Sequence, residues 1–201
     1  CIFDSVLPVD LIDACKLRVE EAISLLDTEL TATLDARVRT RYKVRGSMHQ
    51  LPLGNVLLHG CAPWLPVVRV TLGEDAVELW RGALDNRPGS DAQAWHRDGE
   101  FLAMDADVTN CLTCFVPLVD YVSACHGPTE FLPGSHCGAA FYEEGESLVE
   151  EGLLPVAPLL QRGSAVLFDH RLVHRGTPNT THLDEGRGTT RPVLYVVYGR
   201  H

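Results

Sequence analysis

Three residues in this chain have the types and spacing to hold a metal. His96 and Asp98 form a His-x-Asp pair in Trp95-His96-Arg97-Asp98-Gly99, and His174 stands far along the chain in Leu172-Val173-His174-Arg175-Gly176. Two imidazoles and one carboxylate can hold iron(II) on one face. They leave positions open for a co-substrate and oxygen. In an extended strand residues i and i+2 share a face, ~6.6 Å apart at ~3.3 Å per residue. His96 and Asp98 can therefore turn toward one ion while Arg97 turns away. The third ligand must come from another strand. Taken alone, a His-x-Asp pair recurs by chance and a lone histidine is most often an ordinary residue. The set and its placement carry the argument. His170 competes with His174, because four residues apart on a straight strand share a face, but Asp169-His170-Arg171 reads as a polar turn.

An arginine entering a late strand suits a free carboxylate. Arg191 heads Arg191-Pro192-Val193-Leu194-Tyr195-Val196-Val197-Tyr198, and by alternation it shares a face with Val193, Tyr195 and Val197. 2-Oxoglutarate can chelate iron through its 2-oxo acid end. Its distal carboxylate can take two parallel hydrogen bonds from a buried guanidinium. Arg187, in the loop-like Glu185-Gly186-Arg187-Gly188-Thr189, is the rival anchor, and a surface salt bridge is the plain alternative for Arg191.

The elements that must position these groups read mainly as β. Val9 to about Leu30 carries apolar residues at helical spacing, with Asp10 or Asp13 near its start, where a carboxylate suits the dipole. This predicts a helix covering one face of a sheet. Beyond Leu51, short apolar runs alternate with turn residues. Val67–Thr71 and Ala76–Trp80 read as a hairpin around Leu72-Gly73-Glu74-Asp75. Cys111–Leu118, a strand ending near Phe131, Ala165–Phe168, Leu172–His174 and Val193–Tyr198 complete the expected strands. Ala139–Gln161 is a long acidic connection, helical in part, and a natural place for substrate specificity. Many short strands with Gly/Pro turns and no helix–strand alternation predict a double-sheet jelly roll with flanking N-terminal helices. We expect one domain over residues 1–201, with 1–50 as helical support and 51–201 as the jelly-roll core.

Bulk properties narrow the classes further. A chain of 201 residues, 45% hydrophobic and 22% charged, can bury a real core as an ordinary globular domain. A net charge of −10 argues against binding nucleic acid through its phosphates and gives no support to a membrane surface. The basic run Arg37, Arg39, Arg41, Lys43 and Arg45 alternates, as a solvated strand face or loop would. Seven cysteines, odd in number and irregular in spacing, fit a reducing intracellular compartment. Cys111 and Cys114 lie in an apolar strand where i and i+3 face opposite sides, so they read as core rather than zinc ligands. The first residue is Cys, which suggests a fragment or a processed chain and leaves targeting unread.

The assembled segments resemble the phytanoyl-CoA dioxygenase family of iron(II)/2-oxoglutarate oxygenases. They are Trp95–Gly99, Phe115–Asp120, Gly127–His136 with its Pro-Gly-Ser-His element, Gly163–Asp169, His174–Asn179 and Arg191-Pro192. They span about Trp95 to Tyr198 in the family's order, and the N-terminal half resembles the family only weakly. The resemblance implies a double-stranded β-helix, iron ligands His96, Asp98 and His174, and Arg191 as the 2-oxoglutarate anchor. Arg187 and Thr177 are further candidate co-substrate contacts, and His136 would serve a structural turn. Two departures stand out: an apparent insertion around Thr181–Gly186, which keeps Arg187 in play, and His126 where the family often has Asn. Asp98 is present, whereas halogenating relatives lose this carboxylate to admit halide, so hydroxylation is the expected outcome.

The expected function is hydroxylation of an unactivated C–H bond of a small organic substrate, using Fe(II), 2-oxoglutarate and molecular oxygen. The alternatives are a non-catalytic jelly-roll metal-binding module and a cupin-like metalloenzyme without 2-oxoglutarate. Trp80, Trp95, Phe101 and Tyr195 either line the pocket or fill the core. Substrate identity and oligomeric state are not legible.

Overall fold

A computed structural model of the chain describes residues 1–31, 41–45, 62–98, 108–181 and 188–200. The strands among them form two antiparallel sheets. Strands β1 (Ile2–Phe3), β2 (Arg41–Arg45), β3 (Val77–Asn86), β4 (Cys111–Pro117), β6 (Ala165–Asp169) and β8 (Arg191–Gly199) make the large sheet, in the order β1-β6-β4-β8-β3-β2. Strands β5 (Thr129–Phe131) and β7 (His174–Gly176) form the small one, extended by single bridges from His96 to His174 and from Phe131 to Val156. This is the double-stranded β-helix that the turn-punctuated strands predict.

β4 and β8 are buried along their whole length, which is why they read as continuous apolar runs rather than alternating ones. One face of the large sheet, with Leu112, Cys114, Val116, Leu194, Val196 and Tyr198, packs under helices. The other, with Cys111, Phe115, Phe168, Val193, Tyr195 and Val197, faces the small sheet. Cys111 and Cys114 fall on opposite faces, as their spacing requires, and the six described cysteines are all free.

Helix α1 (Val9–Thr31) covers the outer face through Ile12, Cys15, Val19 and Ile23, a stripe at spacings of three and four. The second helix corrects the expected hairpin. Leu65–Leu72 is helical (α2), so Val67–Thr71 is not a strand. Pro66 in the first turn is pre-set for a helix, and Leu65, Val68 and Leu72 bury one helical stripe. Tertiary packing thus overrides the β preference of Val67, Val68, Val70 and Thr71. Trp64, fully buried beside it, donates its Nε1–H to Tyr198 Oη at 2.9 Å.

The N-terminal segment supplies strands as well as a helix. β1 and β2 come from the N-terminal segment and cap both edges of the large sheet, with Ile2 opposite Val166 and Arg41 opposite Asn86. The alternating basic run ends in an edge strand, where charge discourages further pairing. Within Ala139–Gln161 lie a 3-10 turn (Gly138–Tyr142) and helix α3 (Gly145–Glu150). No helix among the described residues is long and apolar enough to cross a membrane.

Candidate functional site

Backbone pairing brings the distant histidines together. His96 N–H donates to His174 O at 3.0 Å, and His174 N–H donates to His96 O at 2.9 Å. Directly opposed residues share a face, and the two rings lie 4.5 Å apart between centroids. Asp98, two residues on, reaches the same point, with Oδ2 3.7 Å from His174 Nε2. One ligand atom from each of His96, Asp98 and His174 lies within 4.8 Å of the others. This is the one such cluster among the described residues. His170 is not part of it. It sits in the turn after β6 with Nδ1 3.0 Å from Thr113 Oγ1.

Both imidazoles are set in the tautomer that a metal needs. His96 Nδ1 is 2.9 Å from Ala94 O, and His174 Nδ1 is 2.9 Å from Leu172 O. A carbonyl can only accept, so Nδ1 carries the proton and Nε2 keeps its lone pair. His174 is buried against Phe168, Phe131 and Phe115, with ring centroids 5.1, 6.0 and 6.3 Å away. Burial pushes its pKa down to about 4, with Asp98 opposing and His96 reinforcing. The ring is neutral at pH 7, as metal ligation requires.

Arg97 turns away from this cluster and ties it down. Its guanidinium donates to Ser135 O and Ala140 O at 3.0 Å and to Glu143 O at 3.1 Å. Ser135 Oγ in turn accepts from Val173 N–H at 2.9 Å. Ser135 of the Pro-Gly-Ser-His element therefore braces both arms of the site, a role that composition alone does not signal. Trp95 stacks under the Arg175 guanidinium, 4.1 Å from the ring centroid, and Arg175 pairs with Glu130 at 2.8 Å.

Arg191 opens β8 on the inter-sheet face, at 4% exposure. It forms no salt bridge among the described residues. Its contacts are Thr129 Oγ1 at 3.5 Å and the Tyr121 ring, 5.6 Å from the guanidinium carbon. Arg191 Nε and Tyr121 Oη, both buried, lack a hydrogen bond of good geometry among the described residues. Burial raises the Tyr121 pKa, and Arg191 opposes it. Phe115, Tyr121, Thr129, Phe131, Leu160 and Val193 line a small cavity beside this group. Tyr121 and Thr129 were not singled out by sequence, because nothing local marks a polar residue as facing an arginine from another strand. Thr177 donates its hydroxyl to Pro128 O at 2.7 Å, holding the chain after β7 to the residue before β5. Arg187, Phe101 and the apparent insertion at 182–186 lie outside the described residues.

Antiparallel double-stranded β-helix and facial His/Asp/His cluster together define a scaffold of the non-haem iron oxygenase class. The model of the family described as phytanoyl-CoA dioxygenase matches residues 1–184, and the chain belongs to that family. It is thereby an iron- and 2-oxoglutarate-dependent oxygenase. The match ends before β8, so the place of Arg191 rests on the structure. The fold is similar to HygX from Streptomyces hygroscopicus, solved with nickel, 2-oxoglutarate and hygromycin B. That similarity has TM-score 0.67 and 16% identity, covering 99% of this chain and 82% of that one. The carbocyclase SnoK from nogalamycin biosynthesis superposes with TM-score 0.73 at 18% identity, over 99% of this chain and 78% of its own. EctD from S. alaskensis, solved with 2-oxoglutarate and 5-hydroxyectoine, gives TM-score 0.63 at 23% identity, over 100% and 71%.

Proposed function

We propose that this enzyme hydroxylates an unactivated C–H bond of a small organic substrate, with iron held by His96, Asp98 and His174 and 2-oxoglutarate anchored by Arg191. The observation that carries the reading is the buried guanidinium of Arg191, which faces the space between the sheets and forms no salt bridge among the described residues. A buried charge without a partner is costly. A carboxylate arriving with the co-substrate would supply the partner through two parallel hydrogen bonds. Arg191 lies four residues before Tyr195, which pairs with Phe115 beside His174. That is ~13 Å along the strand, a gap that an arginine side chain and a five-carbon diacid together span. Tyr121 and Thr129 would add hydroxyls to the same carboxylate.

Bound iron would supply oxygen activation, driven by oxidative decarboxylation of 2-oxoglutarate to succinate and carbon dioxide. The chain's own residues present Nε2, Nε2 and a carboxylate on one face, leaving the opposite face open. Phe115, Phe131 and Phe168 exclude water behind His174. Asp98 would serve as a third protein ligand where halide would otherwise have to bind, which supports hydroxyl over halogen transfer. A binding module, or a metalloenzyme without 2-oxoglutarate, would have no use for a buried arginine that forms no salt bridge among the described residues.

The test is calorimetric and kinetic. Zinc-loaded protein binds 2-oxoglutarate, and Arg191→Ala weakens that binding by about a hundredfold, ~2.7 kcal/mol. Iron-loaded protein forms succinate under oxygen. Absence of both succinate formation and 2-oxoglutarate binding in the wild type would sink the reading.

A further inference from the structure

The space between the sheets has a second end. Along β8 the inter-sheet face runs from Arg191 through Val193 and Tyr195 to Val197, and Val197 pairs with Thr113 on one side and Trp80 on the other. The row of Trp80, Val197, Thr113 and Phe168 therefore lies six residues from Arg191, ~20 Å along the strand. His174 packs on Phe115 and Phe168, which places the His/Asp/His cluster between the two ends.

The far end holds groups that the metal and co-substrate do not use. His170 is 4% exposed, and its Nδ1 is satisfied by Thr113 Oγ1 at 3.0 Å. Its Nε2 is buried without a hydrogen-bond partner among the described residues. Trp80 meets the His170 ring edge-on, with centroids 6.3 Å apart. Trp80 faces inward by register yet is 41% exposed, so among the described residues the inter-sheet space is open to solvent here.

We infer that this mouth is the binding site for the primary substrate, a ring-shaped, hydroxyl-bearing molecule that stacks on Trp80 and hydrogen-bonds to His170 Nε2. The inference rests on the oxygenase reading above and adds the substrate class to it. A pocket that combines an aromatic face with one fixed polar group is built to orient a ligand. A hydrocarbon chain would leave Nε2 buried and unsatisfied, which is unfavourable. An anionic head group would meet no described cation in the row. Thr113 is the positioning residue, since its hydroxyl sets which ring nitrogen faces inward.

The test uses the full chain loaded with Zn(II) and 2-oxoglutarate. It is titrated with methyl α-D-glucopyranoside and with 2-methoxytetrahydropyran, the same ring without hydroxyls, by calorimetry and tryptophan fluorescence. The glycoside binds at least tenfold more tightly and perturbs Trp80 emission, a signal lost in Trp80→Phe. His170→Phe abolishes the difference between the two rings, and His170→Gln keeps it. Equal affinity for the two rings, or no binding of the glycoside, overturns the inference while 2-oxoglutarate still binds. Failure of 2-oxoglutarate to bind the wild type instead sinks the underlying reading. If His170→Phe does not fold, the wild-type comparison of the two rings decides alone.

Discussion

Asp98 is more exposed than His174, with a side chain 31% exposed against 4%. It is also the member whose removal leaves the imidazole geometry intact, because the two histidines are held by backbone pairing. Asp98→Ala is expected to lower Zn(II) affinity at least tenfold, measured by competition with a chromogenic chelator, with little change in unfolding midpoint of the metal-free protein. A second residue tests the turn that carries His170. Burial raises the Asp169 pKa, but hydrogen bonds from Arg171 and Thr109 outweigh it, and the net shift is downward. A carboxylate whose folded pKa lies below its unfolded value stabilises the fold above the unfolded pKa. It loses that contribution as pH falls through the folded pKa. Asp169→Asn should therefore be less stable than wild type at pH 7. The gap should narrow below about pH 4, near the unfolded value, as urea titrations across that range would show. An undiminished gap at pH 3 would refute the linkage.

The elements around the site are locked by a few close contacts. A Cβ built on Gly145, in α3, would lie 2.2 Å from Trp95 Cβ and 2.9 Å from Val173 Cγ1. Both neighbours adjoin a histidine of the His/Asp/His cluster in sequence. Gly145→Ala must push α3 off the segment that carries His96, at a cost of about 1–3 kcal/mol for overpacking. Urea unfolding measures the loss, and Zn(II) affinity should fall with it. A variant of unchanged stability would show that α3 accommodates the methyl by sliding. Much of this level was legible: α1 from its stripe, β4, β6 and β8 from their apolar runs, and the turn at Asp169–Arg171 from its polarity. Val67–Thr71 was not, because β-branched residues argue for a strand until Pro66 and the burial of Leu65, Val68 and Leu72 are known. β1 was hidden for a related reason, and β2 was legible only as a strand face or a loop. A two-residue strand and a basic alternating run have no apolar pattern of their own, and they are strands only because sheet edges await them.

Across the whole molecule, ligands that bind the folded state should raise its stability by mass action. Zn(II) alone, and then Zn(II) with 2-oxoglutarate, are expected to raise the melting temperature in two steps, the second worth ~2.7 kcal/mol at one hundred times Kd. Arg191→Ala should keep the first step and lose the second, read by differential scanning calorimetry. Loss of both steps would mean that Arg191 supports the fold rather than the co-substrate. The donor types, their order along the chain, the arginine heading the last strand and the jelly-roll class were all set by sequence, because residue chemistry and strand periodicity are local properties. Convergence was decided by tertiary structure alone. The pairing of His96 with His174, the exclusion of His170, the bracing by Ser135 and the exposure of Trp80 at an open mouth all depend on which strands lie side by side, and register between distant strands is written in no short stretch of sequence.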